Sequence, residues 1–323
     1  MYFATSTTAY RNTYYKMPES DLEKKLSRVE SLAQTSVFGR FVNAPHRYLF
    51  AQFIHKCYFT VTKKGVLATA KTFFGHPLSM PLPAGTDIYL TGGKTHDSEI
   101  RLAKFLMQTF KDKNNRHFLD IGAHIGYFSA LVSVLLKNKG QVIAIEAARK
   151  TAELLEKNLK NLPNTMTIHA AATEKYGEKL TFYEFPALYS EYNSSHIAQF
   201  EDAEWFAKFK PQKVIVKGIT VDSLVEKFDL KNPIIKIDAE GAEAQVVAGT
   251  HKTLMEQSPI VIIEYLRKKN EGHQKAFELL EAAGYAPYMI DNQGLLRGIV
   301  DAASYFLAHD IDSDNFVFVK PIH

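Results

Sequence analysis

The chain has 323 residues, 46% of them hydrophobic, and a formal net charge of +4. That is room for one large α/β domain with an appendage, and too small a charge, with no Lys/Arg block, for a nucleic-acid partner. The single cysteine, Cys57, rules out an intrachain disulfide and reads as a packing residue; no run nears the roughly 18 apolar residues of a membrane span, and residues 1–16 lack an apolar core of signal-peptide length, so a soluble, cytoplasmic protein is expected.

In chain order, residues 1–17 read as a mobile arm. Pro18-Glu19-Ser20-Asp21 opens a polar helix to about Gln34, with Ser20 or Asp21 as cap. Residues 36–74 are rich in aromatics, and their spacing over 45–58 suits an amphipathic helix packed as a cap with its rings in the core, the alternative being contact with a membrane surface. Asp87-Ile88-Tyr89-Leu90 reads as a short strand, and Asp97-Ser98-Glu99 opens a helix to about Phe110. From there elements alternate: strand 117–121, helix 125–137, strand 141–146, helix 149–161, strands 165–171, 178–185 and 213–219, and a short helix from Thr220. Strand 233–238, helix 241–256, strand 259–265, helix 271–283 and strands 285–290 and 315–320 follow, the last two as an antiparallel edge hairpin. Such alternation predicts a mostly parallel sheet with helices on both faces. The organisation expected is an arm and helical cap over 1–90 and an α/β domain over 91–323 with an insertion at 186–212.

The stretch Leu119-Asp120-Ile121-Gly122-Ala123-His124-Ile125-Gly126 reads as a strand, a glycine turn and a helix start, and Val142-Ile143-Ala144-Ile145-Glu146 as a second strand ending in an acid. Gly122 and Gly126 let backbone approach a ligand closely. Glu146 lies about 20 residues past the last glycine, placed to accept from both hydroxyls of a ribose. A dinucleotide site favours G-x-G-x-x-G and a helix N-terminus facing a pyrophosphate. Here that pattern is incomplete, and Asp120 would repel a pyrophosphate. S-Adenosylmethionine, with an ammonium, a sulfonium and no phosphate, suits the charge better than NAD.

The sequence resembles the FkbM family of S-adenosylmethionine-dependent methyltransferases. Leu119-Asp120-Ile121-Gly122-Ala123-His124-Ile125-Gly126-Tyr127-Phe128 is close to the family's D-I-G-A-N-x-G-x-[FY], and Ile145-Glu146-Ala147 stands where the family has F-E-P. Ile235-Lys236-Ile237-Asp238-Ala239-Glu240-Gly241-Ala242-Glu243 matches K-I-D-x-E-G-x-E, with T-x-D-S-L upstream (Thr220, Asp222, Ser223, Leu224) and Pro259 and Glu264 downstream. His124 in place of Asn and Ala147 in place of Pro depart from the pattern. The resemblance covers roughly residues 95–267 and implies a Rossmann-like class I fold with a seven-stranded sheet, S-adenosylmethionine as cofactor, and O-methylation of a sugar, glycan or polyketide-like hydroxyl.

On that reading Asp120 faces the methionine amino group, Gly122 and Gly126 turn beside the cofactor, and Glu146 holds the ribose. Ala147 adjoins it, and Ala171-Ala172-Thr173-Glu174 flank the adenine. His124 contacts the methionine carboxylate, caps the helix or faces solvent. Glu99 sits on a helix that closes over the donor. Asp238 is the base or substrate anchor, with Lys236 and Glu240 on the same strand face and Glu264 available to acceptor hydroxyls. Asp238, Glu240 and Glu264 are oxygen donors of the kind Mg²⁺ takes, but without dedicated ligand spacing no metal is expected. The insertion, with Asn193, Ser195, His196 and interspersed aromatics, suits a lid over a glycan, or a surface excursion whose rings pack down. Rival readings are a non-catalytic module binding S-adenosylmethionine or a glycan, and a dinucleotide oxidoreductase. The aromatic N-terminal part is compatible with homo-oligomerisation.

Overall fold

The computed structural model describes residues 21–62, 64–111, 117–186, 189, 193–195, 197, 204–267, 271–299 and 301–321. The arm at 1–17 and the Ser20 cap lie outside them. Strands β1 (Val66–Lys71) and β2 (Pro77–Leu82) form an antiparallel hairpin. Next come β3 (Phe118–Ile121), β4 (Val142–Glu146) and β5 (Thr165–His169), then β6 (Ala171–Ala172), β7 (Lys179–Glu184) and β8 (Gln212–Ile219), which form a three-stranded side sheet. β9 (Ile234–Ile237), β10 (Ile260–Leu266), β11 (Ala286–Ile290), β12 (Leu296–Gly298) and β13 (Ser313–Val319) complete an eight-stranded main sheet ordered β12-β11-β13-β10-β9-β3-β4-β5.

β5, β4, β3, β9 and β10 are mutually parallel, while β13 runs antiparallel between β10 and β11. The chain winds outward from β3 to β5 and returns to start β9 on the other side of β3. That reversal leaves a crevice at the carboxyl ends of β3 and β9, where open α/β sheets bind ligands.

Strand alternation divides the core in two. Phe118, Val142, Ala144, Ile234 and Ile262 meet helices Asp97–Thr109, Tyr127–Leu136 and Arg149–Leu159 on one face. Leu119, Ile143, Ile145, Ile235, Ile237, Val261 and Ile263 meet helices Val221–Lys227, Glu243–Ala248 and Glu271–Ala282 on the other. Burial on both faces explains the continuous apolar runs of these strands. Asp120, Glu146, Lys236 and Glu264 share the parity of the first face, so the polar site occupies the upper edge of an otherwise apolar layer.

The β1–β2 hairpin docks on that layer through Leu78, Met80 and Asn158. The buried Asn158 amide accepts from the Ser79 N–H at 2.9 Å and donates to the Ser79 and Ile125 carbonyls at 2.9 and 2.8 Å. One side chain thereby satisfies a strand edge and the turn after β3, and residues 21–90 share the core of the sheet.

Several local expectations fail. Asp87–Leu90 is helical (Thr86–Thr91), because Pro83-Ala84-Gly85 ends β2 and starts a turn that continues as helix. The strand expected at 165–171 divides at Ala170 between the two sheets, and the helix expected at 241–256 breaks at Gly249-Thr250. The last two strands expected, β11 and β13, do pair antiparallel on one side of the sheet, with β13 between β10 and β11, while the short β12 adds an eighth strand at the edge. Cys57 is exposed. Phe38, Phe50, Phe53 and Tyr58 are exposed as well, so much of the aromatic segment lies outside the core.

Candidate active site

The floor of the crevice is the turn after β3. The Gly122 and Ala123 N–H groups donate to the Ile145 carbonyl at 3.0 and 2.9 Å, and the Asp238 N–H donates to the Ile121 carbonyl at 3.0 Å. These bonds press the ends of β4 and β9 against the turn. A Cβ at Gly122 would fall 1.8 Å from the Asp238 carbonyl oxygen, and φ there is +74°. Glycine is therefore imposed by packing as well as by conformation. His124 has φ +50°. Asn and His tolerate this left-handed conformation better than most side chains, which accounts for the exchange of Asn for His.

Glu146 forms one wall. Its Oε2 accepts from the His124 N–H and its Oε1 from the Ala148 N–H, each at 2.9 Å. Burial outweighs these bonds and raises its pKa to about 7. Each oxygen keeps acceptor capacity after its backbone bond. Ala147, Ala170, Ala171, Ala172, Leu180 and Phe182 continue the wall as an apolar slot.

Asp238 forms the opposite wall, and it is held differently. Lys236 Nζ lies 2.9 Å from Asp238 Oδ2 and 3.8 Å from Asp120 Oδ1. Burial opposes ionisation of Asp238, but the Lys236 ammonium outweighs it and holds the carboxyl below its usual range. The parallel register sets Ile263 beside Ile237, which brings Glu264 level with Asp238. The two carboxyls hydrogen-bond, and burial together with the Asp238 charge raises the Glu264 pKa well above its ordinary value. The pair therefore favours a proton on Glu264 over one on Asp238.

Lys94, from the turn after helix Thr86–Thr91, lines the cleft and pairs with Glu99. Burial opposes its charge, yet Glu99 outweighs this and keeps the ammonium protonated. His124 is neutral at physiological pH: burial, aided by Lys94, lowers its pKa to about 4. Asp87, raised to about 6 by burial and Glu99, stands behind Lys94. Glu99 offsets the charge of Lys94 and Asp238 that of Lys236, so each further acid that ionises, Glu146 among them, tips the cleft toward cations.

Of the residues singled out in the sequence, Gly122, His124, Glu146, Ala147, Ala172, Asn193, Ser195, Asp238 and Glu240 line one cleft of about 920 Å³ including its open mouth. Asp120 does not line it. It is buried beneath the floor, where Oδ2 accepts from Ser129 Oγ at 2.6 Å and Oδ1 faces Lys236. Gly126 also packs beneath, where a Cβ would meet Leu155 at 2.7 Å. Lys236, Glu99 and Glu264 stand behind Asp238 and Lys94 as their partners. Glu240 is not in strand register with Lys236 and Asp238: β9 ends at Ile237, and Glu240 sits in the following loop at φ +47°. Buried Glu243 fastens that loop by accepting from the Ala239 and Gly241 N–H groups at 3.0 Å. His196 lies outside the described residues.

In the insertion, Asn193 Oδ1 accepts from the Phe185 N–H at 2.7 Å, and buried Ser194 donates to the Glu240 carbonyl. Tyr189 stacks on Trp205 at 4.5 Å beside Phe185 and Phe206. These rings pack on one another and do not line the cleft. Lys94, Leu180, Phe182 and Gln245 line it and were not singled out; Lys94 alone had a signal, the Gly92-Gly93 turn before it. Among the described residues no group of three or more His, Cys, Asp or Glu side chains is arranged to hold a metal ion.

No curated protein sequence matches the chain. Among solved structures it is similar to methyltransferase FkbM from Methylobacillus flagellatus KT, with 14% identity, 93% of this chain and 60% of that chain covered, and TM-score 0.39. It is similar to an O-methyltransferase from Bacillus cereus in complex with SAH, with 17% identity, 68% and 80% covered, and TM-score 0.38. A precorrin-6y C5,15-methyltransferase from Geobacter metallireducens GS-15 gives 14% identity, 69% and 88% covered, and TM-score 0.36. The FkbM methyltransferase domain matches residues 120–287, just over half of the chain, and spans both walls of the cleft. The chain belongs to the FkbM methyltransferase family.

Proposed function

We propose that the protein transfers a methyl group from S-adenosylmethionine to a hydroxyl of a sugar, glycan or polyketide-like acceptor. The observation that carries this is the pairing, across one cation-favouring cleft, of Glu146 beside an apolar slot with Asp238 beside a lysine and a protonated carboxyl. S-Adenosylmethionine, when bound, supplies a methyl group on a sulfonium whose leaving group is a neutral thioether. Glu146 accepts from ribose hydroxyls, Ala147, Ala172 and Phe182 cover the adenine, and the carboxylates favour the sulfonium and ammonium.

Asp238 accepts from the acceptor hydroxyl and orients its lone pair. As the new C–O bond forms, the hydroxyl becomes an oxonium far more acidic than any carboxylic acid. A carboxylate held at low pKa therefore still takes the proton. Lys236 keeps Asp238 ionised, and Glu264 returns a hydrogen bond to it. Most of the acceleration comes from alignment, as in any in-line displacement without acid assistance. Asn193, Ser195 and Glu240 line the cleft and are available to the acceptor. The acceptor class rests on family membership; the lining residues do not name it.

Calorimetric titration with S-adenosylmethionine, S-adenosylhomocysteine and NADH tests the donor, with Glu146→Ala beside the wild type. Binding of the first two, weakened in the variant, supports the reading and opens a screen of alcohol acceptors. Binding of NADH alone overturns it.

A further inference from the structure

The N-terminal helices carry a surface that the cleft does not use. Of the large hydrophobic side chains exposed among the described residues, nine fall between Val37 and Leu67. Phe38 is 73% exposed, Phe53 57% and Val61 82%. Pro45–Phe53, the π-helical Ile54–Phe59 and Thr60–Thr62 are one continuous helical run. Along it Leu49, Phe50, Phe53, Tyr58 and Val61 recur at helical spacing on the outer side, while Ala51, Ile54 and Phe59 are buried on the inner side.

Charge separates this surface from an ordinary interface. Between Glu30 and Asp87 the sequence has no acidic residue, yet it has Arg40, Arg47, Lys56, Lys63, Lys64 and Lys71. Acids on the neighbouring helix Asp21–Gln34 are engaged: Asp21 with Lys25, Glu23 with Lys111 and Glu30 with Lys104. Where that helix meets the start of the outer one, an open groove is lined by Lys25, Arg28, His46, Arg47 and Lys71, with no carboxylate in its lining.

We propose that the helical run 45–62 docks in the plane of an anionic membrane surface, with its outer side chains among the acyl chains and the basic groove against lipid headgroups. An exposed apolar stripe flanked by cations is the pattern of an interfacial helix. A second copy of this chain is a poorer occupant, because a two-fold contact through the same patch sets like charges against each other. The run is too short and too basic to span the bilayer. On its inner side Phe59 stacks on Phe209 at 6.3 Å, within the insertion that borders the cleft. A docked protein thus holds the acceptor side of its site near the membrane. This inference stands whether or not the cleft transfers methyl groups.

The test is flotation of the full chain with vesicles of phosphatidylcholine alone and with added phosphatidylserine, together with sedimentation velocity of the protein alone. We expect flotation with phosphatidylserine vesicles, little with phosphatidylcholine alone, and release as salt rises. The double variant Leu49→Ser/Phe53→Ser removes two exposed apolar groups. It keeps the wild-type circular dichroism melt and partitions about tenfold more weakly or worse. Arg47→Glu/Lys56→Glu loses the preference for phosphatidylserine. Three results overturn the proposal: no flotation of the wild type, equal flotation on neutral vesicles, or unchanged flotation of the serine variant. A dimer in sedimentation that the serine variant dissociates, without vesicle binding, assigns the face to a second copy.

Discussion

Glu146, the last residue of β4, and Asp238, the first after β9, lie on either side of β3 and line one cleft, yet their surroundings drive their ionisation apart. Glu146 is held by two backbone N–H groups and no cation, so burial dominates and its pKa rises to about 7. Asp238 has Lys236 at 2.9 Å and a hydrogen-bonded neighbour in Glu264, and its pKa is held below the usual carboxylate range. The same chemical group in the same topological position becomes a titratable ligand acceptor on one wall and a fixed negative charge on the other. A cation two residues earlier on the same strand, present for Asp238 and absent for Glu146, decides which.

The most drastic way to break this contrast is Lys236→Met. It leaves Asp120 and Asp238 without their shared cation, and Asp120 is fully buried. We expect a loss of about 3–5 kcal/mol in urea unfolding; a change under about 1 kcal/mol would mean that the buried carboxyls simply protonate. Asp238→Asn keeps the shape and removes the charge. Turnover should fall about 100-fold or more while donor affinity by calorimetry changes little. Equal losses in both would move Asp238 to the donor site.

On the other wall, Glu146→Ala should weaken donor binding by roughly 1.5–3 kcal/mol, the worth of hydrogen bonds to a charged acceptor, with acceptor KM unaffected. The smallest effect concerns pH. With a pKa of about 7, Glu146 gains its charge between pH 6 and 8, and donor affinity should rise roughly tenfold over that window. Its folded pKa lies above the ordinary 4.5, so the native state holds the extra proton and the contribution to stability falls as pH rises from 4.5 to about 7. Glu146→Gln should flatten both trends in calorimetry and thermal melts. An unchanged pH profile would place the titration elsewhere.

Much of the Glu146 wall of the cleft was legible because it is local. The strand, the turn at Gly122 and the acid at Glu146 lie within one β-α-β unit, where spacing alone sets geometry. Asp238 and Lys236 were legible as alternate residues of one strand. Glu264 acquires its meaning from the register of Ile263 beside Ile237, which no spacing shows. Asp120 looked like a ligand residue by position, but the register beside Lys236 and the hydroxyl of Ser129 draw it under the floor. Lys94 comes from a region without motif resemblance and reaches the cleft because the β1–β2 hairpin and the following helix pack on the sheet.

The aromatic segment teaches the converse. Helical spacing correctly indicated a helix over 45–58, and the bland expectation placed its rings in the core. Spacing says only that residues share a side, and whether anything covers that side depends on what packs there. Here Ala51, Ile54 and Phe59 are buried, Phe59 against Phe209, while Leu49, Phe50 and Phe53 stay outside.

The sequence by itself determined the α/β alternation, the glycine turn and the identity of the acids, because hydrophobic period and turn chemistry act over a few residues. Tertiary structure decided which acid keeps its proton, which lies under the floor, and which apolar stripe stays exposed. Those outcomes depend on desolvation and on groups that strands far apart in the chain bring together, Lys236 within 3.8 Å of Asp120 and Glu264 level with Asp238.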